Sequence, residues 1–334
     1  MEYKNFGRTG VKVSRLCLGC MMFGWKSPEN DSIKIIDKAI NDGINFLDTA
    51  NVYGRGSSEE IVGKALKQNG KRDKIFLATK VHHKMDDEDL NAFGNSRRHI
   101  ISECDASLKR LQTDYIDLYQ IHRPQSDIPI DETLRALDDL VKAGKIRYIG
   151  TSTFASWQIM ESFWVAKELG LNRFVSEQPP YHLLDRRAER ELFPMAENYG
   201  LAIIPWSPLA GGFLTGKYKR SEERPENSRL TERNEWKDHH FSDAAFDVLD
   251  VVISIAKEKS VTPSQLSLAW TLRNDIVTST IIGPRTMEQY EDNIKAWEIK
   301  LTEDDNKRLD EASLPGRTIL SYYEADYNAY KYRW

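Results

Sequence analysis

Three observations predict a closed (β/α)8 barrel, a TIM barrel of class α/β. Eight short apolar runs alternate with amphipathic stretches, polar or charged residues recur where those runs end, and no linker interrupts the 334 residues. A single domain over residues 1–334 is expected, with an N-terminal hairpin, a long loop after the seventh strand and a C-terminal tail. The rival is an open doubly wound sheet, which carries a G-x-G-x-x-G turn after its first strand. Gly19-Cys20-Met21-Met22-Phe23-Gly24 lacks the middle glycine and does not lead at once into a helix.

Each element has a local reason. Residues 3–6 and 11–13 flank Gly7-Arg8-Thr9-Gly10 and read as a hairpin. Residues 16–19 form the first buried strand. Ile33, Ile36 and Ile40 then recur at helical spacing, behind a cap at Asn30 or Asp31. Residues 45–48 make the second strand. Ser57 and Glu60 have capping-box spacing, opening a helix with Ile61, Ala65 and Leu66 inward. Residues 75–79 are the third strand, ending at Lys80, and a helix covers 97–111. Residues 116–121 are the fourth strand, ending at His122. A helix from about Asp131 turns Leu134, Leu137 and Val141 to one side.

The alternation continues. Strand 146–150 ends at Thr151-Ser152, 155–169 is helical, strand 174–177 ends at Gln178, and 185–199 is helical. Strand 201–205 ends at Trp206-Ser207, and the long polar loop runs from 210 to about 241. Helices over 244–259 and 263–273 follow. Thr262, Pro263 and Gln265 supply the second with a cap, a first-turn proline and a capping-box partner. The eighth strand is 278–282. Thr286 and Gln289 read as a capping box, and a last helix covers 303–311. The tail from Pro315 is rich in tyrosine and has no clear period.

Composition narrows the function. Net charge is −4 and no basic block stands out, which argues against a nucleic-acid partner. No apolar run reaches the ~18 residues of a membrane span, and the first residues lack a signal-peptide core. Three cysteines make no closed disulfide framework, so a reduced, cytoplasmic setting is expected. Cys17 and Cys20 have C-x-x-C spacing without a second ligand pair, in a strand rather than at a helix start. They read as small buried residues, as does Cys104 on an apolar face with Ile101, Leu108 and Leu111. His82 and His83 lack an evident third ligand and read as rim or surface residues. No metal is expected.

The chemistry gathers at Asn45-Phe46-Leu47-Asp48-Thr49-Ala50-Asn51-Val52-Tyr53-Gly54. Asp48, Lys80 and His122 follow the ends of strands two, three and four, and Tyr53 lies in the loop after strand two. In a barrel these ends share one rim, so the four side chains can converge. Hydride addition to a carbonyl builds an alkoxide that needs a proton. A phenol, with a reference pKa of about 10, is a weak acid until an ammonium stands beside it. Lys80 can be that ammonium. Asp48 would pair with Lys80 and orient it, and His122 would hold the carbonyl oxygen by a hydrogen bond.

These residues resemble the catalytic tetrad of the aldo-keto reductases. The resemblance covers most of the chain. It rests on Asp48 to Gly54, Lys80, Gln120-Ile121-His122, Glu177-Gln178-Pro179, the run from Pro205-Trp206-Ser207-Pro208 to Tyr218, and Gly283-Pro284-Arg285. It is closest to a bacterial branch that includes nucleotide-sugar ketoreductases and relatives of potassium-channel β subunits. At Gly150-Thr151-Ser152-Thr153 the chain departs from the pattern, since many members carry asparagine where it has Thr153.

The resemblance implies a nicotinamide cofactor. Ser152 and Gln178 are candidates to hold its carboxamide, and Trp206 offers a flat face to the ring. Ser207, Leu209 and Gly211 belong to a glycine-rich run suited to a pyrophosphate, with Lys217 as counter-charge. Arg285, just past Gly283 at a helix start, fits a 2′-phosphate and points to NADPH/NADP+. The resemblance adds Gln289 and Asn293 as adenosine contacts.

The expected activity is NADPH-dependent reduction of an aldehyde or ketone, with Tyr53 as general acid. The substrate would be a small carbonyl compound, aryl or sugar. Phe23, Trp25 and Phe154 near the rim could stack on either or anchor loops. Two alternatives remain. A Schiff-base role for Lys80 leaves Tyr53, Trp206 and the 209–217 loop without a joint purpose. A redox-sensing, cofactor-binding regulatory subunit would keep the same tetrad. Oligomeric state is open.

Overall fold

The computed structural model describes residues 1–220, 222, 225, 228, 230 and 241–320. Part of the expected long loop, and the tail beyond 320, lie outside the described residues.

Ten strands are described: β1 (Tyr3–Asn5), β2 (Lys12–Ser14), β3 (Leu16–Gly19), β4 (Phe46–Asp48), β5 (Phe76–Val81), β6 (Ile116–Ile121), β7 (Ile146–Ser152), β8 (Ser176–Gln178), β9 (Ala202–Ile203) and β10 (Thr280–Ile282). β1 and β2 form the antiparallel hairpin. The other eight make one parallel sheet in the order β10-β3-β4-β5-β6-β7-β8-β9. Its ends are joined by Thr278 N–H to the Ile203 carbonyl at 2.8 Å and Ile281 N–H to the Pro205 carbonyl at 3.1 Å. The ring is thereby closed into the (β/α)8 barrel.

Helices cover the outside: α1 (Glu29–Asn41), α2 (Ser57–Asn69), α3 (Arg97–Leu111), α4 (Ile130–Lys142), α5 (Ser156–Leu169), α6 (Leu192–Tyr199), α7 (Asp243–Glu258), α8 (Pro263–Leu272), α9 (Met287–Asn293) and α10 (Glu303–Ala312). Their apolar faces and the outward strand residues form the larger core, as with Ile100 and Cys104 of α3 or Leu134 and Leu137 of α4. A fully buried side chain of this kind contributes about 1.5–3 kcal/mol. No described helix is long and apolar enough to cross a membrane.

A second core fills the barrel's N-terminal end. Phe6 of the hairpin enters it and meets Phe46 at 5.8 Å and Phe76 at 4.8 Å between ring centres. The chain reaches this position through Gly7, at φ +55, where a Cβ would lie 2.7 Å from the Gly200 carbonyl. With one end plugged by hydrocarbon, polar side chains gather at the other.

Register puts them in one layer. Lys80 pairs with Gln120, Gln120 with Gly150, and Ser152 with Gln178. Ala78 and Leu118, two residues earlier on β5 and β6, belong to the inner core, so Lys80 and Gln120 also point inward, one layer higher. Gly150 makes room: a Cβ there would lie 3.3 Å from Gln120 Cγ and 2.3 Å from Ser176 Oγ.

Several local expectations are corrected. Residues 185–199 do not form one helix, because a short turn at Arg187–Glu189 precedes α6. The backbone of Leu184 and Arg186 instead pairs with Ile319 and Arg317, and this tertiary pairing overrides helix propensity. α1 begins at Glu29 behind Pro28, not behind Asn30 or Asp31. Ser57 is the first residue of α2 and not its cap, since Gly56 at φ 101 takes that place. Gln289 accepts from Arg285 N–H at 2.9 Å, so the reciprocal half of the expected capping box goes to a neighbour of Thr286.

Candidate active site

Asp48 closes β4, Lys80 lies within β5, His122 follows β6, and Tyr53 sits in the turn between β4 and α2. Lys80 was expected just past its strand, but β5 continues one residue beyond it. Asp48, Lys80 and His122 are all buried, with Lys80 fully so.

The ammonium of Lys80 is the hub. It donates to Asp48 Oδ1 at 2.5 Å, to the Thr49 carbonyl at 2.8 Å and to Tyr53 Oη at 3.3 Å. Burial works against its charge, but Asp48 and Tyr53 outweigh burial and hold the Lys80 pKa above its ordinary value. Lys80 therefore stays charged in a dry site. An unpaired buried ammonium would neutralise instead.

The other carboxylate oxygen of Asp48 is also engaged. Gln120 Nε2 and Gln178 Nε2 each donate to Oδ2 at 3.0 Å. Four strands thus converge on one carboxylate-ammonium pair, so neither partner can rotate without leaving a buried polar group unmet. Gln120 stood in the sequence only as part of the run before His122, with no role assigned to it. Its signal was strand period two, since it lies two residues before His122 and faces the same way.

His122 stands edge-on to Tyr53, ring centres 5.8 Å apart. Its pKa is well below the ordinary histidine value, first through burial and then through Arg123 and Lys80, so the ring is neutral. His83 packs edge-on against His122 at 4.8 Å, and His82, itself buried, bonds Asn95 through Nδ1 at 2.8 Å. Both histidines follow directly on β5 at the rim, and half-buried His83 is the one that backs His122. Trp25 is exposed, whereas Phe23 and Phe154 are buried and anchor loops.

The expected cofactor residues continue along the arc of strands, at or beyond the ends of β7, β8, β9 and β10. Ser152 Oγ donates to the Gln178 carbonyl at 2.9 Å. Gln178 points its amide at Asp48, linking the arc to the cluster. The Trp206 ring faces the Arg123 guanidinium, 5.8 Å from ring centre to Cζ. Ser207 Oγ accepts from Gly211 N–H at 3.1 Å, folding the glycine-rich turn after Leu209. A Cβ at Gly212 would lie 3.1 Å from Lys217 Nζ, so the glycine lets that cation lie against the turn. Gly283 is exposed, Arg285 and Gln289 lie side by side, and Asn293 is buried at the end of α9. Amide-binding groups, a flat ring and two separate cations in this order fit a nicotinamide dinucleotide. Cys17, Cys20 and Cys104 are buried and free, and among the described residues no three His, Cys, Asp or Glu side chains cluster as a metal site.

A parallel barrel with buried Asp48, Lys80 and His122 beside half-buried Tyr53 at the C-terminal rim defines a class of carbonyl-reducing oxidoreductases. The chain belongs to the Aldo/keto reductase family, whose profile matches residues 15–314. It is 41% identical over 316 residues to an uncharacterized oxidoreductase, YrpG, of Bacillus subtilis, covering 90% of this chain and 92% of the relative. It is 36% identical over 343 residues to versiconal hemiacetal acetate reductase of Aspergillus parasiticus, covering 94% and 98%. It is also 37% identical over 332 residues to a putative voltage-gated potassium channel subunit beta of Schizosaccharomyces pombe, covering 93% of each.

Proposed function

We propose that the protein reduces an aldehyde or ketone to an alcohol with NADPH, and that Tyr53 is the general acid. The observation that carries this reading is the position of Lys80 Nζ, bonded to both Asp48 Oδ1 and Tyr53 Oη. NADPH supplies the hydride when bound. The protein's part is to position the carbonyl, exclude water and deliver a proton at the oxygen.

Tyr53 Oη gives up that proton as negative charge grows on the carbonyl oxygen. The Lys80 ammonium stabilises the resulting phenolate, and Asp48, fixed by Gln120 and Gln178, keeps the ammonium aimed. His122, neutral, donates a hydrogen bond that orients the carbonyl. Ser152 and Gln178 would hold the carboxamide and Trp206 would stack on the ring. Ser207, Leu209, Gly211 and Lys217 would take the pyrophosphate. Gly283, Arg285, Gln289 and Asn293 would take the adenosine end, with Arg285 on the 2′-phosphate. The substrate is a small aryl or sugar carbonyl. The setting is cytoplasmic, without nucleic-acid or membrane partners.

Loss of NADPH absorbance with 4-nitrobenzaldehyde tests this directly. A folded, NADPH-binding protein that turns over no carbonyl compound would defeat it. The similarity to a channel subunit beta favours a second reading, a redox-sensing regulatory subunit. Turnover too slow for metabolism, with co-purification of a membrane partner, would support that reading instead.

A further inference from the structure

A second buried carboxylate lies one residue from Gln178 and takes no part in the proton path. Glu177, on β8, is fully buried. Its Oε2 accepts from Thr151 Oγ1 at 2.5 Å and its Oε1 from Phe154 N–H at 3.1 Å. The adjoining carbonyl of Gln178 accepts from Ser152 Oγ at 2.9 Å and Thr153 N–H at 3.2 Å. Four successive residues of the turn that ends β7 thus each give a donor to Glu177 or Gln178.

The turn needs that support. Thr153 has φ +64, a left-handed conformation that a β-branched side chain rarely adopts. Such a conformation persists only where its surroundings over-determine it. Thr153 Oγ1 in turn accepts from Arg123 Nη1 at 3.1 Å, and Arg123 faces the Trp206 ring. Contacts therefore run from Glu177, through the turn, to the proposed stacking face.

We propose that Glu177 is a positioning residue whose two carboxyl oxygens hold the 151–154 turn in the form that presents Ser152 and Thr153 to the nicotinamide end of the cofactor. This rests on the NADPH reading above. A carboxylate suits the task because it accepts at both oxygens and has no donor of its own. Glutamine has the same length but must turn an NH2 toward either Thr151 or Phe154. Burial pushes the Glu177 pKa up to about 8, against its hydrogen bonds and the Arg123 charge, so the two-acceptor carboxylate form prevails above that pH. The adenosine end is bound from another element, around Arg285, and should not sense the change.

The experiment titrates the full-length protein at about pH 9, where Glu177 is ionised, with NADPH and with 2′,5′-ADP, which has the 2′-phosphate and no nicotinamide, by calorimetry. Glu177→Gln should weaken NADPH about tenfold, the loss of one hydrogen bond to a charged group. Binding of 2′,5′-ADP should stay within about twofold of the parent, a change of under 0.5 kcal/mol. In turnover, KM for NADPH should rise by more than kcat falls. Thr151→Val removes one of the same bonds without touching the carboxylate and should shift NADPH binding in the same direction, so it decides the matter if Glu177→Gln does not fold. Equal weakening of both ligands, or unchanged NADPH binding in the folded variant, overturns the proposal. A parent protein that binds neither ligand overturns the cofactor reading itself.

Discussion

The Lys80 ammonium stands 3.3 Å from the Tyr53 hydroxyl and 4.9 Å from the centre of its ring. Lysine and phenol belong to different strands and loops, 27 residues apart. Among the described residues the ammonium is thus the one positive charge bonded to the oxygen that the proposed step would leave as an anion.

If that proton goes to the carbonyl oxygen, Tyr53→Phe should lower single-turnover NADPH oxidation with 4-nitrobenzaldehyde about a hundredfold or more. The ring still fills its space and Asp48 still holds Lys80, so stability and NADPH binding should be nearly unchanged. Lys80→Met should also cripple turnover. The two losses should not add in the double variant, because both act on one proton transfer. A folded Tyr53→Phe protein that works at the parent rate rules the mechanism out.

Trp206→Ala should remove the stacking face and loosen the hydride geometry, at a cost of about a hundredfold in rate. Survival of both turnover and NADPH affinity would show that the ring does not lie there.

Arg285 is the residue placed to tell NADPH from NADH. A charge-assisted bond contributes about 1.5–3 kcal/mol, so Arg285→Ala should weaken NADPH roughly ten- to a hundredfold while NADH changes little. Equal losses for both, read by fluorescence titration, would remove the residue from the 2′-phosphate.

Acid should destabilise the fold through its histidines. Burial lowers His82 and His83 to about 4 and holds His122 well below its ordinary value, whereas unfolded histidines titrate near 6.5. Between those values the unfolded chain takes up protons that the native one refuses. The stability is therefore complete above about pH 6.5 and is lost as pH falls toward 4. Thermal midpoints from pH 7.5 to 4.5 should drop, and His83→Asn, which removes one such group, should make the decline shallower. An identical slope in that variant would exclude His83 as a contributor.

Much of this protein was legible before any coordinates. The alternation of apolar runs and helical periods depends on short-range spacing, so it revealed eight strands and the residues at their ends. Asp48, Lys80 and His122 stood out because a charge that ends a buried run has few packing explanations. What the sequence could not carry was register and distant pairing. Only the closed barrel puts Gln120 and Gln178, 58 residues apart, onto the same oxygen of Asp48. Only tertiary contact makes His83 a wall for His122, breaks the expected helix at 185–199 by pairing it with 317–319, and sets Glu177 under a left-handed threonine. Periodicity reports which face a residue occupies. Which residues from other strands meet it there is decided by closure of the ring, where each buried polar atom must find its partner across the sequence.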